Sequence, residues 1–217
     1  VIVYSILNRW SGNSNYDLMM HKYDYNGVYT HSMRVYYQAS ETYKQFEHSV
    51  VVVKSALNEV VVVAFKSDHD NKIHMKAYKA DNLDPDASST SVSTYYSSWG
   101  TTAHHNDQQS LSIPKLVKSG NDEFIIMWTS VDNVLAANSD SNQDIGFRRC
   151  KVYNGAFTCY LEDFIPDDPL SSSTDQTNPD IAVNIEGTFF VIVYQNDYKI
   201  VIQKYLKEYS LGTSALY

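Results

Sequence analysis

The residues of this chain best able to do chemistry are its two cysteines, in "CKVYNGAFTC" at 150–159. Asn154-Gly155 is the strongest short-range signal for a two-residue type I′ turn, because both central residues need positive φ. Around that turn Tyr153 faces Ala156, Val152 faces Phe157, Lys151 faces Thr158 and Cys150 faces Cys159. Pair types alternate outward, so the cysteines meet at a non-hydrogen-bonded pair. There the Cα atoms lie about 4.5 Å apart, within the reach of a disulfide. The spacing predicts a Cys150–Cys159 bridge; two reduced thiols facing each other are the alternative. Neither CxxC nor HxxxH occurs to suggest zinc or a thioredoxin-type pair. A bridge implies an oxidising compartment, hence an extracellular or cell-surface location.

Two other kinds of side chain could form sites. In "NSDSNQD" at 138–144, Asn138, Asp140, Asn142 and Asp144 alternate, so four oxygen-bearing side chains could converge on Ca²⁺. The same loop also reads as a solvated hairpin rich in turn formers, without the glycine and downstream glutamate of a calcium loop. "SDHDN" at 67–71, with Asp68 and Asp70, is a poorer version. Aromatic pairs recur at Tyr36-Tyr37 and Tyr95-Tyr96, with Trp99 nearby. Tyr37, Tyr96 and Trp99 could stack on sugar rings, although strand alternation by itself leaves one ring of each pair outward. His104-His105 reads as loop. GxSxG, P-loop, GxGxxG and HExxH patterns do not occur, and no catalytic set can be assembled. Calcium is the one cofactor the sequence suggests.

The elements that hold these residues are strands. The 217 residues include 18 Tyr and only 8 Gly, and the apolar runs are short, such as "VVVVAF" at 60–65. No run reaches the length of a membrane span. A net charge of −8 argues against non-specific nucleic-acid binding, which needs a basic face. "SETYKQFEH" at 40–48 could make one turn of helix.

The chain repeats itself at a period of about sixty residues. "VIVYS" at 1–5, "VVAFK" at 62–66, "IIMWT" at 125–129 and "VIVYQ" at 191–195 are apolar strands ending in Tyr4, Phe65, Trp128 and Tyr194. After a polar loop come "LMMHKY" at 18–23, "IHMKAY" at 73–78, "IGFRRC" at 145–150 and "IVIQKY" at 200–205. A third phrase precedes the first strand: "YKQFEHSVVVV" at 43–53, "NDQQSLSIPKLV" at 106–117, "TDQTNPDIAV" at 174–183. Each repeat is then an a strand, a b–c hairpin and a less regular d strand. The b strands are apolar at consecutive positions, which requires burial on both faces. The expected fold is one all-β domain over 1–217, with four antiparallel, β-propeller-like units at 1–42, 43–105, 106–173 and 174–217. Two paired β-sandwiches are the alternative. The first residue is Val, and repeat one opens directly on its b strand. On this reading the chain is processed, trimmed or a piece of something longer, and one strand short of four full units.

"DQTNPDIAVNIEGTFFVIVYQNDYKIVIQKY" at 175–205 resembles the tandem β-repeats of large bacterial surface and secreted proteins that carry cadherin-like or RTX modules. Those repeats run D-Q-x-x-P-x-V-A, F-V-V-V-W-Q-S, then I-x-A-Q-R-F. The fourth repeat matches best, the third well and the first two loosely; the glycine-rich b–c loop of the family is largely lost. The resemblance implies a cell-surface or secreted structural or adhesive module and brings no catalytic residues. The expected partners are other copies of the chain in a homo-polymer, other surface components, or glycans. A carbohydrate-binding propeller module is the alternative, and a propeller-type glycosidase a more distant one, since no carboxylate pair can be assigned.

Overall fold

β-Branched runs set the strands. Val50, Val51, Val52 and Val53 pair in register with Val63, Val62, Val61 and Val60, four consecutive cross-strand valine pairs. The computed structural model describes residues 1–8, 15–35, 45–55, 58–67, 73–80, 91–95, 114–131, 143–153, 156–159, 163–164 and 175–206. Every regular element among them is a strand. The strands form four antiparallel sheets, none closed into a barrel.

Each sheet falls within one expected repeat. Sheet 1 is β1 (Ile2–Asn8), β2 (Asn15–Tyr23) and β3 (Tyr29–Arg34). Sheet 2 is β4 (Gln45–Ser55), β5 (Asn58–Ser67), β6 (Ile73–Lys79) and β7 (Ser91–Tyr95). Sheet 3 runs β8 (Lys115–Lys118), β9 (Glu123–Val131), β10 (Gln143–Tyr153) and β11 (Ala156–Cys159), with β12 (Asp163–Phe164) also on β10. Sheet 4 is β13 (Gln176–Val183), β14 (Phe189–Asn196) and β15 (Lys199–Leu206).

The b–c register is the same in all four sheets. Tyr4, Phe65, Trp128 and Tyr194 pair with Met19, His74, Gly146 and Val201. Tyr23, Tyr78, Cys150 and Tyr205 each lie four residues past that partner (19 to 23, 74 to 78, 146 to 150, 201 to 205). Since side chains alternate between faces, a shared register gives each sheet the same two faces. Phe65 packs toward sheet 1, Trp128 toward sheet 2 and Tyr194 toward sheet 3. Val3, Ala64 and Met127, one residue before the aromatic, point the other way, toward the following sheet.

The sheets therefore stack in chain order through three apolar layers. Leu18, Met20 and Val35 meet Val61, Val63, Phe65 and Tyr78 between sheets 1 and 2. Val60, Val62, Ile73 and Met75 meet Phe124, Ile126 and Trp128 between sheets 2 and 3. Ile125, Met127, Ile145 and Phe147 meet Phe190, Ile192 and Tyr194 between sheets 3 and 4. Both faces of β5 and β9 are covered, as their consecutive apolar residues require. β14 instead buries alternate residues, so one face of sheet 4 is open.

Polar contacts tie neighbouring sheets. His48 Nε2 lies 2.8 Å from the Val3 carbonyl. The Tyr78 hydroxyl donates to the Val35 carbonyl, and Lys22 Nζ to that of Ala80. Leu116 N–H donates to Ser49 Oγ at 3.0 Å. Gln143 N–H donates to Asp175 Oδ1 at 2.9 Å and Ile145 N–H to Gln176 Oε1 at 3.4 Å. The Asp-Gln of "TDQTNP" thus docks the fourth repeat onto the start of β10.

The turn of helix expected over 40–48 is corrected from Gln45 onward. β4 begins there and passes through a bulge, with Glu47 at φ 52° between the pairs Phe46–Lys66 and His48–Phe65. The bulge breaks the period of two, and the strand pairing carried upstream from the valines overrides the helical composition. Asn178, also at φ 52°, occupies the equivalent bulge in β13.

Candidate interaction surfaces

The cysteine hairpin has the predicted register, Cys150–Cys159, Lys151–Thr158, Val152–Phe157 and Tyr153–Ala156. The sulfurs are bonded at 2.03 Å with Cα atoms 4.0 Å apart. Asn154 and Gly155 lie outside the described residues. Cys150 is buried in the layer between sheets 2 and 3, with Cys159 packed at its side. The bridge is therefore a staple holding β11 on β10. Next to it, Lys151 Nζ sits 2.8 Å from Glu123 Oε1 on the directly opposite residue of β9.

The other proposed site residues are mostly out of view. Asn138, Asp140 and Asn142 lie outside the described residues, as do Asp68, Asp70, His104 and His105. Asp144 is the second residue of β10, paired with Ser130. Among the described residues no three His, Cys, Asp or Glu gather where they could hold a metal ion. Tyr37, Tyr96 and Trp99 also lie outside the described residues.

Two surfaces that the sequence reading did not single out lie at the ends of the stack. On the outer face of sheet 1, the Tyr4 hydroxyl is 2.8 Å from His21 Nε2, with the rings edge-on at 4.9 Å. Tyr29 stands edge-on to His21 at 5.2 Å and to Tyr23 at 6.0 Å. Register dictates this cluster: Met19, His21 and Tyr23 alternate outward on β2, and Tyr4 and Tyr29 flank them on β1 and β3. The turn after β2 is fixed by Asp24, whose Oδ1 accepts from Asn26 N–H at 2.9 Å and Val28 N–H at 2.8 Å, with Gly27 at φ 78°. It carries Tyr25 into solvent.

At the other end, the outer face of sheet 4 carries Val193, Ile200, Ile202 and Leu206, all exposed. Lys204 Nζ lies 4.3 Å from the centre of the Phe189 ring on the same face. Ile200 and Ile202 match Leu18 and Met20, Ile73 and Met75, and Ile145 and Phe147 in register. Those six are fully or nearly fully buried beneath the next sheet, whereas Ile200 and Ile202 are 70% and 69% exposed. The signal was present in the sequence as the recurring apolar-x-apolar start of the c phrase.

Both ends present apolar and aromatic side chains to solvent. Tyr78 lies deep between sheets 1 and 2, where burial pushes its phenol above the ordinary tyrosine value. That is a structural role, paired with the Val35 carbonyl. No protein-family model matches this sequence, and none of the curated proteins compared with it matches either.

Proposed function

We infer that this chain is an extracellular structural and adhesive repeat module, built of propeller-like units and associating with further units of its own kind. The observation that carries the reading is the unbroken register: four sheets bury the same faces against one another in chain order, and the two end sheets leave the corresponding faces open. Modules with nearest-neighbour interfaces extend by adding units, and an uncovered apolar face at each end favours addition. The Cys150–Cys159 bond is in keeping with an oxidising compartment outside the cell. The resemblance to bacterial surface repeats points the same way.

Light scattering and negative-stain imaging of the 217-residue chain test the reading. Concentration-dependent growth of elongated particles is expected; a monodisperse monomer at millimolar concentration counts against self-association. A second reading, carbohydrate binding, draws on the outward Tyr4, His21, Tyr23 and Tyr29 cluster. A glycan array tests it: binding abolished by Tyr29→Ala supports a sugar platform on that face, and an array without hits removes it.

A further inference from the structure

We propose that the outer face of sheet 4 docks onto the outer face of sheet 1 of a second copy, with Ile202 seated against that copy's Tyr23. The inference rests on the self-associating reading above and specifies its interface. Its ground is the layer built three times within the molecule. In each layer the third residue of the c phrase faces the sixth residue of the next c phrase: Met20 and Tyr78 share one layer, Met75 and Cys150 the second, Phe147 and Tyr205 the third. In the third the two rings meet edge-on, with centroids 5.3 Å apart. By register Ile202 is the next third residue, and Tyr23 is the sixth residue of the first phrase.

The two faces match beyond that pair. Val193 corresponds to Ala64 and Met127, both fully buried, yet it is 36% exposed. Opposite, Tyr4 corresponds to Phe65, Trp128 and Tyr194, which pack against the preceding sheet in the other three repeats. Ile2 and Tyr29, beside it, are also exposed. Lys204 corresponds to Lys22, which crosses the first layer to the carbonyl of Ala80. Two residues past the sixth position in sheet 1 is Tyr25, so Lys204 would meet the carbonyl of the partner's Tyr25. The contact is heterologous, so its repetition makes a chain of copies unless the rotation closes.

The test uses the full chain and two single-cysteine additions, Ile202→Cys and Tyr23→Cys, mixed and oxidised. Each copy carries one new thiol, so a 202–23 bond can form only between copies. That bond, identified by peptide mapping, is expected. Ile185→Cys, in an exposed turn, should not replace Tyr23→Cys. Ile202→Lys should weaken association about tenfold or more while leaving the fold intact, since that side chain is largely in water. If wild-type copies associate while Ile202→Lys changes nothing and the 202–23 bond is absent, the docking is overturned and the repeat-module reading stands. If the wild type stays monomeric, both the docking and self-association fail. A double variant that joins 23 to 202 within one copy overturns the docking in favour of ring closure.

Discussion

Three isoleucines occupy one register position in three sheets, and they differ in whether another sheet lies over them. Ile73 and Ile145 are 0% exposed, and Ile200 is 70% exposed. Truncating each to alanine isolates the value of the covering sheet. A fully buried isoleucine cut to alanine loses its transfer free energy and leaves a cavity, together about 2–5 kcal/mol. At Ile200 roughly a third of the side chain is covered. About a third of the ~2–3 kcal/mol for full burial is under 1 kcal/mol, and no cavity forms. Lost strand propensity spans only about 1 kcal/mol and differs between the inner strands β6 and β10 and the terminal strand β15, so it shifts the comparison less than burial does. Ile73→Ala and Ile145→Ala should therefore exceed Ile200→Ala by about 1–4 kcal/mol. The assay is urea unfolding followed by tryptophan fluorescence, with Trp128 buried as reporter, at protein concentrations low enough to keep copies apart. Equal penalties at the three positions would refute the stacking order. If copies dock as proposed, the Ile200→Ala penalty should rise with protein concentration while the other two stay constant.

Replacing Gln176 by Met removes the acceptor of the Ile145 N–H inside the joint of sheets 3 and 4; a loss of about 1–3 kcal/mol and faster hydrogen exchange at Ile145 are expected. Tyr78→Phe leaves the buried Val35 carbonyl without that donor and should cost about 1–3 kcal/mol by the same unfolding assay. The Tyr78 phenol keeps its proton in the fold, whereas the unfolded chain releases it above about pH 10. Stability from this group is therefore complete below that pH and falls as pH rises past it, a slope that Tyr78→Phe should remove. Alkylation without reductant should leave Cys150 and Cys159 unlabelled in the intact mass; replacing both by Ala should cost up to about 2–3 kcal/mol, less where the hairpin already holds the ends together.

Much of the framework could be read in advance because a strand has a period of two. Once Tyr4, Phe65, Trp128 and Tyr194 are aligned, the facing of every b and c residue follows, and the Cys150–Cys159 pairing follows separately from the Asn154-Gly155 turn. Burial on both faces could be read from "VVVVAF" for the same reason. The bulge at Glu47 could not be read: glutamate has no particular liking for positive φ, and its polar neighbours mimic a helical turn. Asn178 at the matching place carries a recognisable cue. The end faces were hidden for a different reason. "IVIQKY" reads like "IHMKAY", and whether Ile200 is wet depends on a neighbouring sheet rather than on any local pattern. Of the proposed calcium and stacking residues only Asp144 lies among the described residues, near the start of β10.

The valine ladder between β4 and β5 has a consequence for how the chain is made. One side of it is covered by sheet 1, which is synthesised first. The other side waits for Phe124, Ile126, Trp128 and Val152. From Ser67 at the end of β5 to Val152 is 85 residues (152 minus 67), or about 4–17 s at ~5–20 residues per second. During that interval the valine ladder, charged only at its flanks by Glu47, Lys54, Glu59 and Lys66, presents an apolar β-branched face without its later partner, the kind of segment that seeds cross-β stacking. A factor that shields Val60 and Val62 until β9 emerges, or a pace of synthesis that shortens the wait, would decide the yield of folded protein.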